Sequence, residues 1–186
     1  MLSVRGDAAT IATEQNAIYR YRLWRTLSIT NERRLLIIAL NPSTAGERAN
    51  DPTIRREIAF ALRDGFGVLD KCNLFSWRAT DPSALGLQVL SHGKESIVGP
   101  DTDDTICAAA AHADRIICAW GSDKILKPHR CGARVDDVLA LLSGHDLYVF
   151  APPGKPLAPR HPLYLAGDCP VALWRPRASA EVGASV

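Results

Sequence analysis

A chain of 186 residues with 47% hydrophobic content is long enough to bury one core of ordinary size and too short for two. Its formal charge of +2 is less basic than a footprint for long nucleic acid usually is. No stretch reaches the length of a transmembrane span and the N-terminus lacks the apolar centre of a signal peptide, so a cytoplasmic protein without membrane contact is expected.

The charge is unevenly spread. Residues 1 to 63 hold ten Arg against six acids, 64 to 114 three bases against eight acids, and 115 to 186 nine bases against six acids. Arg supplies 17 of the 22 bases, and its planar fork suits phosphate or carboxylate better than an ammonium does. The five cysteines (Cys72, Cys107, Cys118, Cys131 and Cys169) nowhere form a Cys-x-x-Cys pair, which argues for reduced, mostly buried thiols.

In chain order, residues 1–15 read as a flexible leader. Residues 17 to 29 alternate with period two, placing Tyr19, Tyr21 and Leu23 on one side and Arg20, Arg22 and Trp24 on the other. This predicts a half-exposed strand, pairing as an antiparallel edge with the next one. That next strand is the centre of the chain: Leu35 to Leu40 is an unbroken apolar run stopped by Asn41-Pro42-Ser43-Thr44-Ala45, the pattern of a strand buried on both faces.

Asp51 is placed to cap a helix with Pro52 in its first turn, and Ile54, Ile58, Ala61 and Leu62 share one face before Gly65 ends it. Val68 to Phe75 is the next strand, followed by Ser76-Trp77-Arg78-Ala79-Thr80. Asp81-Pro82 opens a short helix through Leu90, His92 to Asp101 reads as a loop, and Thr102 to Ala113 is helical. Arg115 to Ala119 is a third buried strand ending at Trp120-Gly121. Residues 134 to 142 are helical by spacing, Leu147 to Phe150 is a fourth strand, and a Pro-rich loop leads to Arg160-His161-Pro162-Leu163-Tyr164-Leu165. Residues 16–174 then form a single domain, and 175–186 a disordered tail.

The expected architecture is a three-layer α/β/α domain with a mainly parallel four-stranded central sheet plus an antiparallel edge strand. Parallel strands bring their carboxyl-end loops to one edge, predicting a cleft that contains Asn41, Asn73, Arg78, Trp120 and His161. There is no Gly-rich phosphate loop, no Gly-x-Ser-x-Gly elbow and no metal-ligand spacing among the histidines, so neither metal nor cofactor is expected. Amide, imidazole and guanidinium donors beside aromatic rings suit a planar heterocycle on which negative charge develops.

The series LNPSTA, DPTIRR, NLFSWRATDP, VGPD, AWG and PRHPLYL, from about Tyr19 to Leu165, resembles an uncharacterised bacterial and phage family of small α/β proteins with an Asn-Pro-Ser-Thr-Ala motif. More distantly, the order of Asn41-Pro42, Asn73 and His161-Pro162 is similar to the uracil-DNA glycosylase superfamily in its mismatch-specific, Asn-Pro branch. That likeness implies a glycosylase-like fold and hydrolysis of the N-glycosidic bond of a modified or damaged base in DNA, by a monomer that flips the base out of the stack.

The roles it implies are specific. Asn41 positions the attacking water, and His161 stabilises the charge gathering on the leaving base. Asn73 reads the base edge, Pro42 joins it in base recognition, and an aromatic, Phe75 or Trp77 with Phe60 and Phe66 as alternatives, stacks on the base. Ser43, Thr44, Arg55, Arg56, Arg78 and Arg160 contact the nucleic-acid backbone, and Leu163 wedges into a duplex. Ser43 and Thr44 stand where the mismatch-specific enzymes have Gly, and Leu163-Tyr164 replaces the usual Ser-Pro, so the pocket is reshaped and uracil need not be its substrate. No iron–sulfur cluster is inferred.

Ordinary structural roles compete with each of these. Asn41-Pro42 also ends strands, Asn73 also serves as a satisfied buried amide, Arg55 and Arg56 also form a solvated helix face, and Asp51 and Asp81 are caps before they are catalytic groups. Two other functions share the cleft: an enzyme acting on free nucleosides or nucleotides, and a non-catalytic module that binds a modified base or a partner. DNA repair and a phage-related role, including phage defence, both stay open.

Overall fold

The computed structural model describes residues 18–43, 50–81, 83–121 and 133–178. Its strands are β1 (Leu23–Thr26), β2 (Arg34–Ala39), β3 (Val68–Asn73), β4 (Arg115–Cys118), β5 (Leu147–Phe150) and β6 (Val171–Arg175). Its helices are α1 (Pro52–Arg63), α2 (Ser83–His92), the single turn α3 (Glu95–Val98), α4 (Thr102–Ala110) and α5 (Ala133–Leu141), and a 3₁₀ turn covers Pro162–Tyr164. No helix among the described residues is long and apolar enough to cross a membrane.

The sheet has six strands in the order β1-β3-β2-β4-β5-β6. The four central strands are parallel, and an antiparallel strand closes each edge. The sequence reading had one such edge, and placed it wrongly: β1 pairs with β3, Leu23 opposite Lys71, and not with β2. It could not pair with β2, because both sides of that strand are taken by parallel neighbours. The second edge, β6, was not foreseen. Its five residues alternate only weakly in burial, so they carry little strand signal.

Alternate residues along the strands fill two cores. Leu36, Ile38, Cys72, Ile116 and Cys118 pack with Leu85, Ile97, Ile106 and Val138 from α2 to α5. Leu35, Ile37, Leu69 and Ile117 pack on the opposite face with Phe60 and Ala61 of α1. Burial raises the Cys72 and Cys118 thiols, the latter to about 12, so both act as apolar filler, whereas Cys107 is exposed.

Two expected faces hold only in part. Period two holds from Tyr21 to Leu27, but it buries Arg25, whose Nε donates to Asn50 Oδ1 at 2.9 Å. Arg20, expected outside, is buried at 4% exposure. On α1 the buried residues are Ile54, Glu57, Phe60 and Ala61, while Leu62 is 46% exposed. The helix is turned toward Glu57 because Lys71 on β3 pairs with it at 2.7 Å. Beyond β6, Arg177 N–H donates to Asp146 and Ala178 N–H to Ser143, so residues 175–178 are tied to the loop after α5.

Candidate functional site

From β2 the chain passes through α1 to β3 on one side, then returns to place β4 on the other. Such a reversal opens a crevice at the carboxyl ends of the two strands. A cavity of about 870 Å³ lies there, within the range of small-ligand sites. Ala39, Leu40 and Asn41 line it from the end of β2, Trp120 and Gly121 from the end of β4, and Ala158 to His161 with Tyr164 and Leu165 from the loop after β5. Gly121 N–H donates to Pro159 O at 2.6 Å, which joins two of these walls.

Asn41 is fixed by its own amide. Nδ2 donates to Ala79 O at 2.8 Å and to Pro42 O at 3.2 Å. Both hydrogens are thereby committed, and the two carbonyls set the amide's orientation, so the group Asn41 offers a ligand is the acceptor Oδ1.

His161 is held in the complementary sense. Its Nδ1 accepts from Leu163 N–H at 3.4 Å, capping the 3₁₀ turn, and this leaves the proton on Nε2. Burial lowers the imidazole pKa, Lys71 nearby lowers it further and Asp51 opposes them. A neutral imidazole donating through Nε2 follows.

Asp51 performs two tasks. Its Oδ1 accepts from Ile54 N–H at 2.8 Å, capping α1, while Ser43 Oγ donates to Oδ2 at 2.7 Å, and the residue also lines the cavity. Burial pushes the carboxyl up, but Ile54 N–H, Ser43 and the charges of Lys71 and Arg20 outweigh it and the net shift is down.

Behind it lies the Lys71–Glu57 pair. Lys71 reaches the cavity wall, Glu57 is fully buried, and its Oε2 has no hydrogen-bond partner among the described residues. Burial raises the Glu57 carboxyl above its ordinary value, against the pull of Lys71. Arg20 also lines the cavity, and burial together with Arg78 brings its guanidinium down to about 10 against the pull of Asp51 and Glu57.

The residues singled out from the sequence divide accordingly. Asn41, Ser43, Arg160 and His161 share the cavity, with Trp120 in its wall. Thr44 lies outside the described residues. Asn73 and Phe75 are each 1% exposed and absent from the described lining; Phe75 belongs to the core cluster, against which Trp77 packs half-buried. The reason is register. Leu74 and Phe75 continue the ladder beside β2 by donating to Ala39 O and Leu40 O, so Asn73 sits within paired backbone and not in the loop that follows.

Pro42 is buried, and Arg78 N–H donates to Ile18 O outside the lining. Arg55 bonds Asn50 O on the exposed side of α1. Arg56 lies over Phe60 and donates to Leu165 O, which makes it a tie between α1 and the site loop. Leu163 is half-buried, whereas Tyr164 beside it is 84% exposed, with its ring 5.6 Å from that of His161.

Sequence reasoning passed over Arg20, Lys71 and Tyr164, and ranked Asp51 as a cap before a catalytic group. A lysine within the strand VLDKCN was the one available signal, since a charge there must find a partner.

These features define an α/β protein with an open crevice at the switch point of a mainly parallel sheet. The chain belongs to the family described as Protein of unknown function (DUF1643), whose model matches residues 20–163. No curated protein and no solved structure matches it.

Proposed function

We propose that the protein hydrolyses the N-glycosidic bond of a modified or damaged base in DNA. The observation that carries this reading is the pairing, in one cavity, of an Asn41 whose amide can only accept with a His161 whose imidazole is neutral and donates. A water held by Asn41 Oδ1 adds its hydroxyl to C1′. The C1′–N bond breaks, its electron pair leaves with the base, and the second water proton ends on the base. His161 Nε2–H bonds the base oxygen on which that charge gathers.

The motif order similar to the uracil-DNA glycosylase superfamily supports the same assignment. A cavity of about 870 Å³ accommodates one extruded base. With Asn73 outside the described lining, Ser43, Thr53, Thr80 and Tyr164 bring neutral hydroxyls that a base edge can meet beside Asn41. Arg160, Arg20 and Lys71 also line the cavity, and these cations favour as a second reading an enzyme acting on a free nucleotide.

The test incubates the protein with labelled oligonucleotides carrying a panel of modified bases, followed by alkaline cleavage at abasic sites. Cleavage at one base, lowered about 100-fold in His161→Ala and in Asn41→Ala, is the expected result. Folded protein that binds but cleaves none of the panel refutes glycosylase chemistry on those bases. Binding that weakens only gently with salt then supports the nucleotide reading.

A further inference from the structure

Breaking a glycosidic bond places positive charge on the sugar, spread over C1′ and its ring oxygen, before the water bond is complete. The two groups assigned above cannot compensate that charge, because Asn41 is a neutral amide and His161 donates as a neutral imidazole. Three of the other described side chains in the lining, Arg20, Lys71 and Arg160, are cations that would oppose it.

The described lining holds one carboxylate, Asp51. We infer that Asp51 is the anion of this site, and that its carboxylate faces the sugar and stabilises the positive charge formed there. The inference rests on the glycosylase reading and adds a residue to it.

The geometry fits such a role. Asp51 is held from two sides, by Ile54 N–H on Oδ1 and the Ser43 hydroxyl on Oδ2, so it does not have to reorganise as charge develops. Each carboxylate oxygen keeps a further lone pair for a ligand. Capping α1 also explains why an acid remains among cations: the helix start fixes Asp51 at a place where a free side chain would swing toward Arg20 or Lys71. Ser43, whose hydroxyl donates to Oδ2, then serves as the group that aims the carboxylate.

The test needs no knowledge of the base. Two otherwise identical oligonucleotides carry, at one position, either a neutral tetrahydrofuran abasic analogue or a pyrrolidine analogue that is cationic at neutral pH. The wild-type protein is expected to bind the cationic oligonucleotide about tenfold more tightly, although three cations line the cavity. In Asp51→Asn, and in Asp51→Ser as a second neutral cap, the preference should vanish or reverse while the melting temperature stays close to wild type.

Equal binding of both oligonucleotides by the wild-type protein overturns the assignment of Asp51 and leaves the glycosylase reading in place. A preference that survives both variants overturns it too, since the charge then comes from elsewhere. Failure to bind either oligonucleotide overturns the glycosylase reading itself, and the role of Asp51 with it. The wild-type ratio decides even if a variant does not fold.

Discussion

Replacing Lys71 by Met would leave the Glu57 carboxylate fully buried without its cation. At 2.7 Å and an effective dielectric of about 20, the attraction between the two charges is about 6 kcal/mol. Part of it offsets the cost of taking both charges out of water, and removing one partner from a buried pair typically costs about 3–5 kcal/mol. Glu57→Leu strands the ammonium in the same way.

For a chain of this size each kcal/mol shifts the melting temperature by about 2–4 °C, so either single variant should melt about 6–20 °C below wild type. The double variant Lys71→Met/Glu57→Leu removes both charges and keeps the apolar volume, and should recover to within about 1–2 kcal/mol of wild type. Urea unfolding of all four proteins gives the coupling energy directly.

The pH dependence carries a sign. Burial raises the folded Glu57 carboxyl above its unfolded value, so the folded state binds the proton more readily and Glu57 costs stability as pH rises through that window. Loss of Lys71 pushes the carboxyl further up, and the deficit of Lys71→Met should therefore be smaller at pH 5 than at pH 8. Single variants that each cost under about 1 kcal/mol, or a double variant whose loss is the sum of the two, would refute the account.

His161 should titrate below its ordinary pKa of 6.5, as burial and Lys71 dictate, and Asp51→Asn should lower the midpoint further by removing the one opposing charge; an NMR titration of the imidazole reads both. Its contribution to stability follows the same shift. The unfolded state takes the proton first, so the fold loses stability as pH falls below about 6.5 and is unaffected above it. Gly67→Ala would place a Cβ 1.7 Å from the carbonyl oxygen of Asn31, backbone that cannot yield without disturbing the Arg33 carbonyl bonded to Gly67 N–H. A loss of about 3 kcal/mol or more in urea unfolding is expected, and a loss below about 0.5 kcal/mol would contradict the packing there.

Much of the scaffold was legible in the sequence because local chemistry specifies it. The apolar run ending at Asn41 could only be a strand covered on both faces, Asp51-Pro52 could only open a helix, and parallel strands force their carboxyl-end loops to one edge. From these alone Asn41 and His161 were placed in a common cleft, and both line the cavity.

Tertiary structure decided the rest. Whether β1 pairs with β2 or β3 depends on which edge is vacant after the other strands have docked, a fact no residue of β1 encodes. Whether Asn73 meets a ligand depends on how far the ladder beside β2 continues before it turns. The period-two pattern set Arg20 on the outer side, yet Arg20, Arg25 and Glu57 are all buried; only the assembled neighbours, Lys71 for Glu57 and Asn50 for Arg25, show how the last two are accommodated. The sequence by itself determined where the strands end and which loops meet. The charges that share the resulting crevice, three cations and Asp51 among its described residues, were decided by packing, because a buried charge takes its meaning from partners distant in the chain.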